Sequence, residues 1–174
     1  MHSNVTLVLA LGLASFSTVA APTGNDTASN DAKIDAMVKS LTVAPARTLG
    51  KASAFCSANH QPAGKPLDER LAAYVAAMSS GTREAMLEIA KTDAGYLQSG
   101  PAYSLKDFEM MDQQADMLLK QVQASPAGVC AKLGETLDAG SSSFFKEETL
   151  RSYQQFQARR AQYCAHSPKP ANCR

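Results

Sequence analysis

SLKDFEMMDQQADMLLKQVQAS, residues 104–125, is the stretch whose reading decides the fold. Leu105, Phe108, Met111, Ala115, Leu118 and Val122 recur at steps of three and four, the period of one helix face. Ser104 and Asp107 stand at the spacing of a capping box, with Asp in place of the usual Glu. Ser125-Pro126 then reads as an N-cap followed by proline at the first position of another helix, one that lines up Cys130, Leu133 and Leu137.

The same period extends in both directions. Towards the N-terminus, Ile34, Met37, Val38 and Leu41 share a face from Asp31, and Pro45 is expected to kink or end that helix. A short segment carrying Leu49, Ala52 and Cys56 follows, then a loop over 57–66. Pro66 opens a helix with Leu67, Leu71, Tyr74, Val75 and Met78 on one face. Ser80-Gly81 is expected to break it, with Thr82 capping a further helix through Met86, Ile89, Ala90 and Leu97. Gly100-Pro101 is another break. Towards the C-terminus, Gly140 and the serines at 141–143 introduce a last helix to about Tyr163, with Phe145, Thr149, Tyr153, Phe156 and Tyr163 inward. No segment alternates apolar and polar residues over a strand's length, alanine is abundant and Trp is absent. The expected fold is therefore all-α: a single bundle of five or six short-to-medium antiparallel helices.

The chain has 174 residues. Val5 to Leu13 is almost wholly apolar and is followed by small residues at Val19, Ala20 and Ala21, the order of a secretory signal peptide. Residues 1–21 are read as that cleaved leader, 22–30 as a flexible polar linker, and 31–174 as one bundle domain with a disulfide-tied C-terminal tail. No second stretch has the length and apolarity of a membrane span, so the mature chain is expected to lie free outside the cytoplasm, in a periplasm more than in the medium. Asn25-Asp26-Thr27 is a glycosylation sequon with meaning only in a eukaryotic secretory route.

Cys56, Cys130, Cys164 and Cys173 are the four cysteines. In an exported chain an even number reads as disulfides, and four allow three pairings. Cys56 with Cys130 and Cys164 with Cys173 is the preferred pair of bridges. The first would clamp the N-terminal helical region to the helix after Pro126, and the second would tie the proline-containing end.

Net charge is +1, which carries no nucleic-acid signature. Its distribution is uneven: six Lys and Arg against two Glu from Ser141 onward. Arg151, Arg159, Arg160 and Lys169 in that segment are candidates to steer an acidic partner, beside the plainer role of cations at a helix C-terminus. Met110 and Met117 flank the core stripe of their helix and are candidates for an adaptable contact surface.

Catalytic and metal patterns are incomplete. Cys164, His166 and Cys173 lack the paired spacing of a structural zinc site, and no metal or cofactor is expected. Ser143 and Lys146 match S-x-x-K, yet the rest of the penicillin-recognising signature is missing. Glu109, Asp112 and Asp116 are expected on a solvated helix face. His60 near Cys56 is the one place for a site assembled from scattered residues. These readings lead to a non-enzymatic protein that works by binding another protein. A periplasmic inhibitor or immunity-type protein, neutralising an acidic toxin or a cell-wall hydrolase, is the expectation. A secreted effector acting on a host is the alternative, and an enzyme with a site near His60 is the third reading.

Overall fold

The computed structural model describes residues 27–98 and 104–165. They form α1 (Thr27–Asn59), α2 (Leu67–Thr92), a 3₁₀ turn (Ala94–Gln98), α3 (Leu105–Ala124), α4 (Pro126–Asp138) and α5 (Ser142–Cys164), with no strand among the described residues. The all-helical expectation holds, with five α-helices. Gly100-Pro101, the leader, His166, Lys169 and Cys173 lie outside the described residues.

Helix α3 starts as its sequence predicts. The Ser104 hydroxyl accepts from the Asp107 amide at 3.3 Å, and the Asp107 carboxylate accepts from the Ser104 amide at 2.7 Å. Two amide groups that the helix itself cannot satisfy are thus paired reciprocally. Those bonds from Ser104 hold the Asp107 carboxyl below the ordinary aspartate range. Met111, Ala115 and Val122 are buried, while Leu105, in the first turn, stands 77% exposed. Ser125 ends α3 and precedes Pro126 as expected, but its side chain makes no capping bond.

Two expected breaks are absent. Helix α1 runs unbroken for 33 residues through Pro45, and it begins at Thr27, inside the stretch read as linker. Proline removes one intrahelical hydrogen bond and costs a helix interior about 3 kcal/mol. Pro45 is itself buried, and Ile34, Met37, Val38, Leu49, Ala52 and Cys56 are buried on both sides of it, so packing outweighs the local cost. Helix α2 likewise continues through Ser80-Gly81 for 26 residues. Gly81 is buried because α5 passes over it: a Cβ there would fall on the Ser142 carbonyl oxygen and 2.9 Å from the Lys146 amide nitrogen. The glycine marks a close helix approach instead of a helix end.

The expected antiparallel arrangement holds for one neighbouring pair and fails for two. Helices α1 and α2 form an antiparallel hairpin, bonded at opposite ends by Asp35–Arg83 and Ser57–Asp68. Helix α3 lies beside α1 in the same direction, since Arg47 meets Asp112 and Lys51 meets Asp116. Helix α5 lies beside α2 in the same direction, with Lys146 on Glu84 and Glu88 and Tyr153 on Asp93. The reversals are made by the segment after α2 and by α4, which interposes 13 residues between α3 and α5. Neighbours therefore run in the order α3, α1, α2, α5, leaving α3 and α5 as edges.

Two core clusters hold this array together. Leu49, Ala52, Cys56, Leu67, Leu71, Val122, Cys130, Leu133 and Leu137 join α1, α2, α3 and α4 at one end. Ile34, Met37, Val38, Met86, Ile89 and Leu97 join α1, α2 and the 3₁₀ turn at the other. The Cys56–Cys130 disulfide lies within the first cluster, with both residues at most 1% exposed. It is the disulfide between two described residues; the expected second, Cys164–Cys173, involves Cys173 outside them.

Candidate functional site

Helix α5 is positioned by a polar and sparsely buried interface. Ser141 caps it, accepting from the Phe144 amide at 3.2 Å. Phe145 is its one buried residue, set edge-on against Tyr74 with ring centroids 5.0 Å apart. Burial raises the Tyr74 phenol above its ordinary pKa. Lys146 Nζ lies 3.3 Å from Glu88 and 4.0 Å from Glu84. Further along, Asp93, which ends α2, accepts from Tyr153 Oη at 3.1 Å and from Gln157 Nε2 at 2.7 Å. Burial, first of all, also raises the Tyr153 phenol.

Beyond Gln157 there is no more of α2 to lean on, yet α5 continues to Cys164. Those seven residues add about 10 Å of helix at 1.5 Å per residue. Arg159 and Arg160 are exposed there, and neither makes an ion pair among the described residues. Tyr163, expected to point inward, is 55% exposed because no neighbouring helix among the described residues reaches it. Arg151 differs: its Nη1 lies 2.6 Å from Glu148 one turn earlier, which neutralises it locally.

The methionine candidates sit on the opposite edge. Met110 and Met117, two turns apart on α3, are 44% and 57% exposed. Asp112 and Asp116, expected on a solvated helix face, have side chains 44% and 55% exposed, and they also pair with Arg47 and Lys51 of α1. Arg47 also lies over the Phe108 ring, 5.1 Å from its centroid. Glu109 alone of that carboxylate trio stays exposed with no ion pair among the described residues. Since α3 and α5 do not touch, Met110 and Met117 do not join the arginines in one surface. Spacing in α1 carried a signal for the missed zip: Arg47 and Lys51 are four apart, as are Asp112 and Asp116.

The candidate catalytic groups are spent elsewhere or stand alone. Cys56 is in the disulfide. His60 is exposed just past α1, with its ring 6.0 Å from that of Phe55. Lys146 points at the α2 carboxylates, while Ser143 Oγ lies 3.0 Å from Ser141 Oγ. No three His, Cys, Asp or Glu side chains among the described residues are grouped to hold a metal. No helix among them is long and apolar enough to cross a membrane.

Two surface depressions lie elsewhere on the described residues. One of about 270 Å³ lies beside Arg70, Tyr74 and Asp138. Arg70 is committed there to structure, donating to the carbonyls of Lys65 and Ala63 and to Asp138, which ties the 60–66 loop to α4. The other, an open groove of about 500 Å³ between α1 and α2, is floored by Ala46, Leu71, Ala72, Val75 and Ala76. The chain matches no protein-family model, no curated protein and no solved structure.

Proposed function

We propose that this chain acts by binding another protein through the free end of α5, with Arg159, Arg160 and Tyr163 as the anchoring side chains. The observation that carries the reading is the overhang: two exposed guanidiniums without ion pairs among the described residues, beside a half-exposed tyrosine, past the end of α2. Arginine and tyrosine supply much of the energy of protein interfaces, because a planar cation and an amphipathic ring lose little entropy on contact. Unpaired cations also steer an acidic partner during encounter and fix its orientation. Lys169 extends the same basic segment in sequence.

The partner is an acidic protein met outside the cytoplasm. A toxin or a cell-wall hydrolase neutralised in the periplasm is the role proposed, resting on the leader-like N-terminus and the cysteine content. Action on a host after secretion is the competing role, distinguished by recovery of the chain in the medium and not in the envelope. The test is capture from envelope extract with the oxidised protein and with an R159E/R160E variant. Stoichiometric recovery of one acidic protein by the first and its loss with the second is expected. Recovery of no partner, or equal recovery by both, contradicts the proposal.

A further inference from the structure

We propose that α5 is a releasable arm, one that swings off α2 as a unit while α1–α4 stay folded. The inference stands on the core and on the α2–α5 contact, and does not rest on the binding reading. Every buried member of both core clusters lies outside α5. Leu150 and Tyr153 pack against the second cluster only as partly buried residues, and Phe145 is the one α5 side chain buried outright. Release of α5 therefore takes away none of the buried cluster residues themselves, although the second cluster loses the cover of Leu150 and Tyr153, and Gly81 and Thr82 lose that of the α5 backbone and Thr149.

What holds α5 is one buried ring, Phe145 edge-on to Tyr74, two part-buried rings, Tyr153 and Phe156, edge-on to Tyr96, and a set of polar contacts. Lys146 on Glu84 and Glu88 is an exposed pairing, of a class that contributes little. Tyr153 and Gln157 on Asp93 are part-buried hydrogen bonds to a carboxylate, the strongest of these polar contacts, yet open to replacement by water when the helix lifts. The backbone contact at Gly81 brings the two helices close but buries no large side chain. By contrast α4 is tied covalently to α1 through Cys56–Cys130, and α3 buries Met111, Ala115 and Val122. Three residues, Ala139 to Ser141, connect α4 to α5, and one of them is Gly140. Elements with few buried apolar contacts open first, with free energies far below that of global unfolding.

Opening would part Lys146 from the exposed Glu84 and Glu88, part Tyr153 and Gln157 from Asp93, and bare Phe145 and Tyr74 to water. These groups are what closes the arm again and sets its register.

Native-state hydrogen exchange on the full, oxidised chain tests this. Amides of α5 between Phe144 and Ala158 are expected to exchange through one shared opening, with protection at least about 100-fold lower than that of Leu49 to Cys56 in α1. Gly81→Ala, whose Cβ meets the Ser142 carbonyl, is expected to lower α5 protection further, about tenfold, and to leave the α1 amides unchanged. Should that variant not accumulate, Y153F/Q157A removes the Asp93 bonds and carries the same expectation. Equal protection in α1 and α5, or a variant that lowers both equally, overturns the arm.

Discussion

Arg47 holds Asp112 by two parallel bonds, Nε to Oδ1 at 2.6 Å and Nη2 to Oδ2 at 2.7 Å, across the parallel α1–α3 contact. One turn later Lys51 repeats the pairing with Asp116. The fork geometry matches a planar guanidinium to a planar carboxylate, so it sets the register of α3 on α1.

Its pH dependence follows from the Asp112 carboxyl, which the hydrogen bond from Arg47 holds below the ordinary aspartate range. A depressed folded-state pKa gives stability that is present above the unfolded pKa, about 3.9, and lost as pH falls through the folded value. D112N should lower Tm slightly at neutral pH, the effect being small because both side chains are over 40% exposed. The difference from the unaltered chain should close as pH drops below about 4. Thermal melts across that range check this; a gap that widens in acid would contradict it.

The Cys56–Cys130 bridge closes a long segment, with a sequence separation of 74. Loop-closure entropy assigns such a bridge about 4–5 kcal/mol before any native strain is subtracted. A C56A/C130A double variant should lose most of that in chemical denaturation, and lose it from α1–α4 as a whole. A loss below about 1 kcal/mol would show the cluster around the bridge to be self-sufficient.

Core and edge positions should differ sharply. Ile89, 2% exposed in the second cluster, should cost about 2–5 kcal/mol on change to Ala. Met117→Ala on the α3 edge should stay within about 0.5 kcal/mol. Denaturant midpoints of the two variants measure the contrast directly.

Ser53 is wholly buried, and its hydroxyl makes no hydrogen bond among the described residues. A buried, unsatisfied hydroxyl carries a desolvation cost of about 1–3 kcal/mol. Ser53→Ala should therefore stabilise the chain, by up to about 1 kcal/mol once lost packing is counted. Destabilisation on removing the oxygen would mean that Ser53 has a partner, such as an ordered water.

Periodicity made the helices legible, and it misled where a residue had two meanings. Pro45 and Gly81 punctuate a helix in isolation. Burial along α1 and the crossing of α5 decided both positions, and neither force is local in sequence. The Ser104 capping box involves neighbours alone, and it appears as read. Asp112 and Asp116 are exposed as read, but their ion pairs were hidden because the cations lie 65 residues away. Tyr163 looked inward because its spacing fits the α5 stripe, but that stripe outlasts α2. The basic end of α5 was visible as charge, whereas its projection past a neighbour is a property of the assembled helices.

The proposed role stands or falls on whether the α5 end, and not the α3 edge, makes the contact. Quantitative capture from envelope extract with three proteins side by side decides it: the unaltered chain, R159E/R160E and M110A/M117A. One partner should come down at equal stoichiometry with the first and third and be missing from the second. A partner that follows the methionines and ignores the arginines, or no partner for any of the three, would contradict the account.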